Sequence, residues 1–290
     1  PLDWEAMLQF LKRRAIPGVE CVTDISYYRT VGIGEHRGWL SVAPVADRNL
    51  LAVDLSTTLT PVLPAILVRL RNLFDLSARP DIIASHLALD SRLAPSLRRH
   101  PGLRVPGAFD SFELGMRAIL GQQVSVRAAS TIAGRFAARF GTKIVTPLAC
   151  LNRVAPTAES IAASHRSTLA SLGIPLARGE SLRNLAQAIT RREIDLVPGS
   201  DPGAAAAKLK KISGIGSWTA EYIAMRALRW PDAFPTGDLG LLKAARLKSA
   251  KALETVSERW RPWRSYAAMH LWENLHLKSW KPDASARKVP

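Results

Sequence analysis

The apolar residues of this chain change their spacing after about residue 56, and that change restricts the fold more than any other feature. Before it, Tyr27, Tyr28, Val31 and Ile33 lead into Gly34, and Gly38 opens the stretch Trp39–Val42. Asp47-Arg48-Asn49 is a turn signal, and Leu51, Val53 and Leu55 alternate with Ala52 and Asp54. Short runs of period two bounded by turn residues predict a small antiparallel sheet over residues 25–56. Gly32-x-Gly34 is followed by more strand pattern, so it reads as a hairpin and not as a nucleotide loop. An amphipathic helix over residues 3–15 precedes the sheet, with Met7, Leu8 and Leu11 on one face. Residues 61–75 turn helical (Leu63, Ile66, Leu67, Leu70, Leu73), and from about residue 80 onward only helices are legible. The expected fold class is α+β: a small antiparallel-sheet N-terminal domain followed by an all-α remainder.

Within the remainder, Asp110 caps a helix and Glu113 completes a capping box, with Phe112, Met116, Ile119 and Leu120 as the buried stripe. Gly121-Gln122-Gln123 interrupts it. A second helix carries Ala129, Ala133, Phe136 and Phe140 and stops at Gly141. A Pro-containing loop over 142–156 and helices near 157–172 and 177–192 follow, then the cap Asp201-Pro202. The last ten residues are basic and expected to fray.

Lys and Arg outnumber Asp and Glu by 40 to 24, a net charge of +16, which favours a polyanionic partner, above all nucleic acid. An anionic membrane surface is the alternative, and a merely solubilising basic surface the blandest reading. No apolar run nears the ~18 residues that cross a bilayer. The N-terminus has no secretory pattern, so a cytoplasmic protein without membrane association is expected. The first residue is Pro1, which reads as a trimmed or processed chain. Two distant cysteines, Cys21 and Cys150, exclude a four-cysteine iron–sulfur cluster or a Cys-only zinc site and give no disulfide framework. The six histidines show no metal spacing.

The most specific local motif is Leu209-Lys210-Lys211-Ile212-Ser213-Gly214-Ile215-Gly216-Ser217-Trp218-Thr219-Ala220. A helix ends at the lysines, a tight turn holds two glycines, and a second helix starts at Ser217. Glycines there allow positive φ and let a phosphate approach the backbone. The unpaired N–H groups and dipole of the second helix attract that phosphate. A helix precedes the turn, which excludes a Rossmann loop, and no Gly-Lys-Ser/Thr follows, which excludes a Walker loop. Lys208, Lys210 and Lys211 favour DNA over a plain αα-turn.

Asp238 stands 22 residues after Gly216, where Phe234-Pro235-Thr236-Gly237 enters a helix. Alone, such a carboxylate is most simply an N-cap. Phe-Pro-x-x-Asp placed behind Gly-Ile-Gly-x-x-Thr-Ala, however, resembles the helix-hairpin-helix DNA glycosylase superfamily, and most closely its bacterial 3-methyladenine-excising branch. The likeness runs nearly end to end through Tyr27-Tyr28-Arg29, Gly34-Glu35-x-Arg37-Gly38, Leu73-Phe74-Asp75-Leu76, Pro101-Gly102-Leu103-Arg104-x-Pro106-Gly107, Arg117-Ala118-Ile119-Leu120-Gly121-Gln122 and Trp260-x-Pro262-Trp263-Arg264-Ser265-Tyr266-Ala267.

The resemblance implies an α+β domain over 1–80, a helical domain with the hairpin over 105–230, and a second helical subdomain from 81–104 plus 231–290 that closes the cleft. It implies that Asp238 is the essential carboxylate and that Phe10, Trp218, Tyr222 and Trp272 line the base pocket. Lys211, Gly214, Gly216, Ser217 and Thr219 would hold the DNA backbone. The partner would be double-stranded DNA with alkylated bases, bound by a monomer. No cofactor is required, although a monovalent cation, Na+ or K+, is implied at the carbonyls of Ile212 and Ile215. Relatives that also nick the strand carry a lysine at the second position after Gly-x-Gly; here that position is Trp218. A monofunctional glycosylase is expected, with a bifunctional lyase and a non-catalytic DNA-binding module as alternatives. Trp260 and Trp263 are read as core aromatics, and His270 as a satisfied structural histidine.

The chain departs from the resemblance at Gly237, Leu239, Gly240 and Glu273, which bear on the pocket's space and charge. At the loop that enters the minor groove the family's wedge is aliphatic. Here the matching residue is Gln123, expected to fill the gap left by the everted nucleotide.

Overall fold

The computed structural model describes the backbone of residues 1–279 and the side chains of residues 1–275. The last ten residues, expected to fray, therefore lie outside the described residues.

Helix α1 (Trp4–Arg14) starts at Asp3, whose carboxylate accepts the Ala6 N–H. The sheet follows as β1 (Glu20–Val22), β2 (Tyr27–Ile33), β3 (His36–Pro44) and β4 (Leu51–Leu55), antiparallel and in chain order. The β2–β3 register pairs Tyr27 with Val42, Arg29 with Leu40 and Val31 with Gly38. All six are buried, so one face of the sheet carries the packing. Gly34, at φ +58°, turns the β2–β3 hairpin where a nucleotide loop was excluded. Gly38 permits a close approach: a Cβ there would sit 2.7 Å from Cγ of the fully buried Leu59. Three-residue β1 has too little pattern to be legible in the sequence.

A 3-10 turn (Thr57–Val62) leads into α2 (Leu63–Leu73), then α3 (Pro80–Leu87), α4 (Ala94–Arg99), α5 (Ser111–Leu120) and α6 (Val126–Phe140). Next come α7 (Ala158–Ala162), α8 (Arg166–Ala170), α9 (Leu176–Thr190), α10 (Pro202–Lys210), α11 (Ser217–Arg226), α12 (Leu239–Ala245), α13 (Ala250–Ser257) and α14 (Arg264–Ser279). The helix expected over 157–172 is thus two. His165 takes an extended conformation between them, and its ring nitrogen accepts the Ser167 N–H to start α8.

The expected capping box at α5 is half formed. Asp110 accepts the Glu113 N–H, but the Glu113 side chain turns inward to pair with Arg29 of β2 at 2.8 Å. Both are under 10% exposed, so the pair ties the sheet to the helical core. Leaving either charge alone would cost several kcal/mol, which outweighs the smaller gain of a second cap bond.

The segment 81–104 packs against the C-terminal helices. Trp260, fully buried, donates its indole N–H to Asp90, and Ser96 of α4 meets His270 Nδ1 of α14 at 2.9 Å. Burial, helped by nearby His100 and opposed by Asp3, pushes the His270 imidazole down to about 3. Trp263 is half-buried and packs edge-on against Tyr266.

The two cysteines, distant in sequence, interact in space. Gly18 forms a bridge with Leu151, and its carbonyl accepts the N–H groups of Asn152 and Arg153, which brings the Cys150 turn to β1. Burial and the neighbouring Cys150 raise the Cys21 thiol to about 11. The thiols are free, so the absence of a disulfide framework does not mean separation.

Candidate active site and nucleic-acid interface

Asp238 is the N-cap of α12, as its local sequence suggests: Oδ1 accepts the Leu241 N–H at 2.8 Å. It is also more than a cap. The Trp272 indole N–H donates to Oδ1 at 3.0 Å, and the Trp218 indole N–H donates to Oδ2 at 2.9 Å. Three donors from α11, α12 and α14 fix both oxygens, and the residue is only partly buried. Hydrogen bonds to a charged acceptor of this kind are roughly twice as strong as neutral ones. The result is a carboxylate of fixed orientation with access to solvent.

Aromatic rings gather around it. Trp218 stacks on Tyr222 with centroids 5.2 Å apart and planes 8° from parallel, and Tyr222 meets Trp272 edge-on at 6.4 Å. The sequence-predicted Trp218, Tyr222, Trp272 and Asp238 are therefore brought together. Trp218 and Trp272 are half-buried, whereas Tyr222 is buried at 9% exposure beneath Trp218.

Phe10 departs from expectation. It is 4% exposed, and its ring lies under the guanidinium groups of Arg14 (3.8 Å) and Arg226 (4.9 Å). Its aromatic surface is already engaged by protein cations, which places it behind the pocket wall and not on an open face. Arg226 also donates to Tyr222 Oη at 2.8 Å and to the carbonyls of Pro106 and Gly107. Burial would raise the Tyr222 phenol, but Arg226, Arg14 and Arg117 outweigh it and hold the phenol at about 8. This cationic layer, built from residues remote in sequence, was not legible in the chain.

The departures from the family pattern have positions. A Cβ at Gly240 would lie 2.9 Å from Asp238 Oδ1, 3.3 Å from Leu275 Cδ1 and 3.5 Å from Trp272 Cδ1. Nearby side chains occupy this region, so the glycine does not simply leave a larger pocket. Leu239 is 80% exposed beside the carboxylate. Glu273 acts electrostatically on half-buried Arg13 of α1, so its charge is partly offset.

The hairpin joins α10 to α11. Gly214 has φ +85°, and a Cβ there would fall 2.0 Å from Ser181 Oγ of α9. Gly216 does not use positive φ; at φ −82° it is the N-cap of α11, with nothing within 4 Å of its Cβ position. Its value is therefore open space, not conformational freedom. Helices α5, α6, α12 and α13 carry side-chain caps, but α11 has none because its cap is glycine. The first-turn N–H groups around exposed Ser217 are left for an external acceptor. Ile215, 3% exposed, anchors the turn in the core.

Lys211 is exposed, as expected of a phosphate partner, while Lys210 is paired with Glu221 at 3.2 Å. Thr219 is 3% exposed and its hydroxyl accepts from Gln122 Nε2 at 3.0 Å, so its side chain is not open to a phosphate. Its side chain faces the protein, because Gln122 from the α5–α6 loop reaches under the hairpin. Gln122 Nε2 donates also to the Gly214 carbonyl at 2.9 Å. Neighbouring Gln123, at φ +56°, is exposed at the tip of that loop. Sequence reasoning gave Gln122 no role, although it ends the Arg117–Gln122 stretch of family likeness and stands beside the expected wedge.

The Ile212 carbonyl accepts the Ile215 N–H at 3.0 Å and retains a second lone pair, so a cation could still use it. No helix among the described residues is long and apolar enough to cross a membrane.

Known proteins resemble this chain over nearly its whole length. Residues 1–110 match the family described as AlkA N-terminal domain, and residues 116–264 match the HhH-GPD superfamily base excision DNA repair protein family. DNA-3-methyladenine glycosylase 2 of Escherichia coli is 37% identical over 98% of this chain and 96% of its own length. A probable bifunctional transcriptional activator/DNA repair enzyme AlkA of Mycobacterium tuberculosis is 38% identical over 98% of this chain, which spans 57% of that relative. The solved 3-methyladenine DNA-glycosylase from Archaeoglobus fulgidus shares the fold, with TM-score 0.82, 21% identity and 97% coverage of both chains.

Proposed function

Because the chain belongs to the HhH-GPD superfamily of base excision DNA repair proteins, with an AlkA N-terminal domain ahead of it, and is thus a DNA glycosylase, we propose that it excises alkylated bases and leaves an abasic site. The substrate class is double-stranded DNA bearing bases of the 3-methyladenine and 7-methylguanine type, acted on by a monomer. The observation that carries this reading is Asp238, the N-cap of α12, held on both oxygens by Trp218 of α11 and Trp272 of α14.

The chemistry follows from charge. As the C1′–N bond breaks, its electron pair leaves with the base and the deoxyribose becomes cationic. A carboxylate about 4 Å from that charge supplies roughly 4 kcal/mol at an effective dielectric of 20. Water then adds its oxygen to C1′, and its proton passes to the carboxylate or to solvent. An alkylated purine already carries positive charge, so it departs without a dedicated acid.

Trp218 and Trp272 offer the faces on which an everted base can stack, at roughly 0.5–2 kcal/mol per cation–π contact. Open N–H groups at Ser217, with Gly216 and Lys211, hold a backbone phosphate, and exposed Gln123 fills the vacated stack. A monovalent cation at the carbonyls of Ile212 and Ile215 would add positive charge there. Trp218 occupies the position where lyase relatives carry their lysine, so the sugar is released by water and the strand stays intact.

Incubation with methylated duplex DNA, followed by chromatography of released bases, tests the reading. Release of 3-methyladenine and 7-methylguanine is expected, without a covalent complex under borohydride. No release above background overturns it.

A further inference from the structure

Resting on that reading, we propose that Gln122 is a positioning residue that sets the register between the phosphate held by the hairpin and the nucleotide everted at Gln123. Its single amide nitrogen donates to the Gly214 carbonyl at 2.9 Å and to the Thr219 hydroxyl at 3.0 Å, bridging partners 92 and 97 residues away. One of these groups lies in the turn and the other in the first turn of α11. The bridge therefore grips the hairpin on both sides of Gly216.

Gln123 follows directly, at φ +56° on the exposed tip between α5 and α6. A left-handed residue adjacent to a doubly bonded one has little freedom to shift independently. Nor can the hairpin move instead, because Ile215 is buried and Gly214 abuts Ser181.

The rise along one DNA strand is about 3.4 Å per nucleotide, so a slip of that order presents the wrong base. Two separate elements touching DNA could drift by this much. A bidentate amide holding one to the other prevents it. The geometry has a chemical requirement: the Gly214 carbonyl can only accept, so the bridging group must donate there, as –NH2 does and a carboxylate does not, even though the Thr219 hydroxyl could donate to a carboxylate.

The test uses the whole chain and a duplex carrying one 7-methylguanine with 2-aminopurine as its 3′ neighbour. Gln122→Ala and Gln122→Glu are expected to slow single-turnover excision and the 2-aminopurine fluorescence rise at least tenfold. Affinity for undamaged duplex and its salt dependence should stay within twofold of wild type. Thr219→Val, nearly isosteric, should show part of the defect, and the double variant Gln122→Ala/Thr219→Val should be no slower than Gln122→Ala. Excision and undamaged-duplex affinity falling together would overturn the proposal, as would unimpaired fluorescence and excision. Thr219→Val keeps the question decidable if Gln122→Ala melts early. Wild-type protein that releases no methylated base overturns the glycosylase reading and this one with it. Wild-type release with an unimpaired Gln122→Ala overturns the register coupling alone.

Discussion

The Trp218 indole N–H donates to Asp238 Oδ2 at 2.9 Å, while the same ring lies parallel to Tyr222. One side chain thus orients the carboxylate and forms a wall of the site. Trp218→Phe separates the roles, since it retains a ring but removes the donor. A hydrogen bond to a charged group contributes about 1.5–3 kcal/mol. Single-turnover excision should therefore fall between roughly tenfold and a hundredfold, with duplex affinity nearly unchanged. Asp238→Asn should abolish excision with binding retained. Wild-type rates in either variant would remove that residue from its role.

Asp238 also shows why part of the site was legible and part was not. Its local sequence says N-cap, and the cap is present; the hairpin 22 residues earlier says DNA backbone, and only the family resemblance implies chemistry for the same carboxylate. Short-range signals likewise marked the β2–β3 hairpin, the start of α11 at Ser217 and the break between α5 and α6 at Gly121-Gln122-Gln123. What failed was long-range. The Arg29–Glu113 pair spans 84 residues and diverted Glu113 from its cap. The Gln122 bridge, the guanidinium layer over Phe10 and the meeting of Cys21 with Cys150 depend on which helices become neighbours, and periodicity does not encode that.

Tyr222 should titrate near pH 8, observable as tyrosinate absorbance that Tyr222→Phe removes. Arg226, Arg14 and Arg117 overcome the effect of burial, so the folded value lies below the unfolded value near 10. For an acid with a depressed value, the stabilisation is complete above the unfolded value and is lost as pH falls through the folded one. Between pH 8 and 10 this group adds stability as pH rises, by about 2–3 kcal/mol at most. The Tyr222→Phe variant should show a flatter stability profile over that interval in denaturant titrations. An identical profile would show that the phenol does not titrate there.

His270 gives the opposite end of the pH scale. Burial holds it neutral down to about pH 3, whereas the unfolded chain takes up a proton near 6.5. The unfolded state binds more protons between these values, so stability falls as pH drops from 6.5 towards 3, by on the order of 5 kcal/mol at most. The His270 ring signals in NMR should not move above pH 4. A midpoint between pH 5 and 7 would contradict this burial.

The cysteines should react unequally. Cys150 is exposed, while Cys21 is partly buried and raised to about 11, so its thiolate is scarce at pH 8. Because the thiolate is the nucleophile, iodoacetamide should modify Cys150 first. Mass spectrometry of a timed reaction should find singly labelled protein with the mark at 150. Equal rates would place both thiols in open solvent.

Gly214→Ala should damage the hairpin in two separable ways. The residue must hold φ +85°, which costs an L-residue roughly 1–2 kcal/mol, and its methyl would meet Ser181 Oγ at 2.0 Å. The clash is larger than a rotamer change at Ser181 can absorb, because that side chain is buried and bonded to the Ala177 carbonyl. Gly214→Ala should lower the melting temperature by several degrees and weaken undamaged-duplex affinity by about tenfold or more. Adding Ser181→Gly removes the obstruction and leaves the backbone strain, so it should restore part of the affinity and not all of it. Complete restoration would mean that φ at 214 is unimportant. No restoration would mean that the turn, and not the room around it, positions the open amides of α11 for a phosphate.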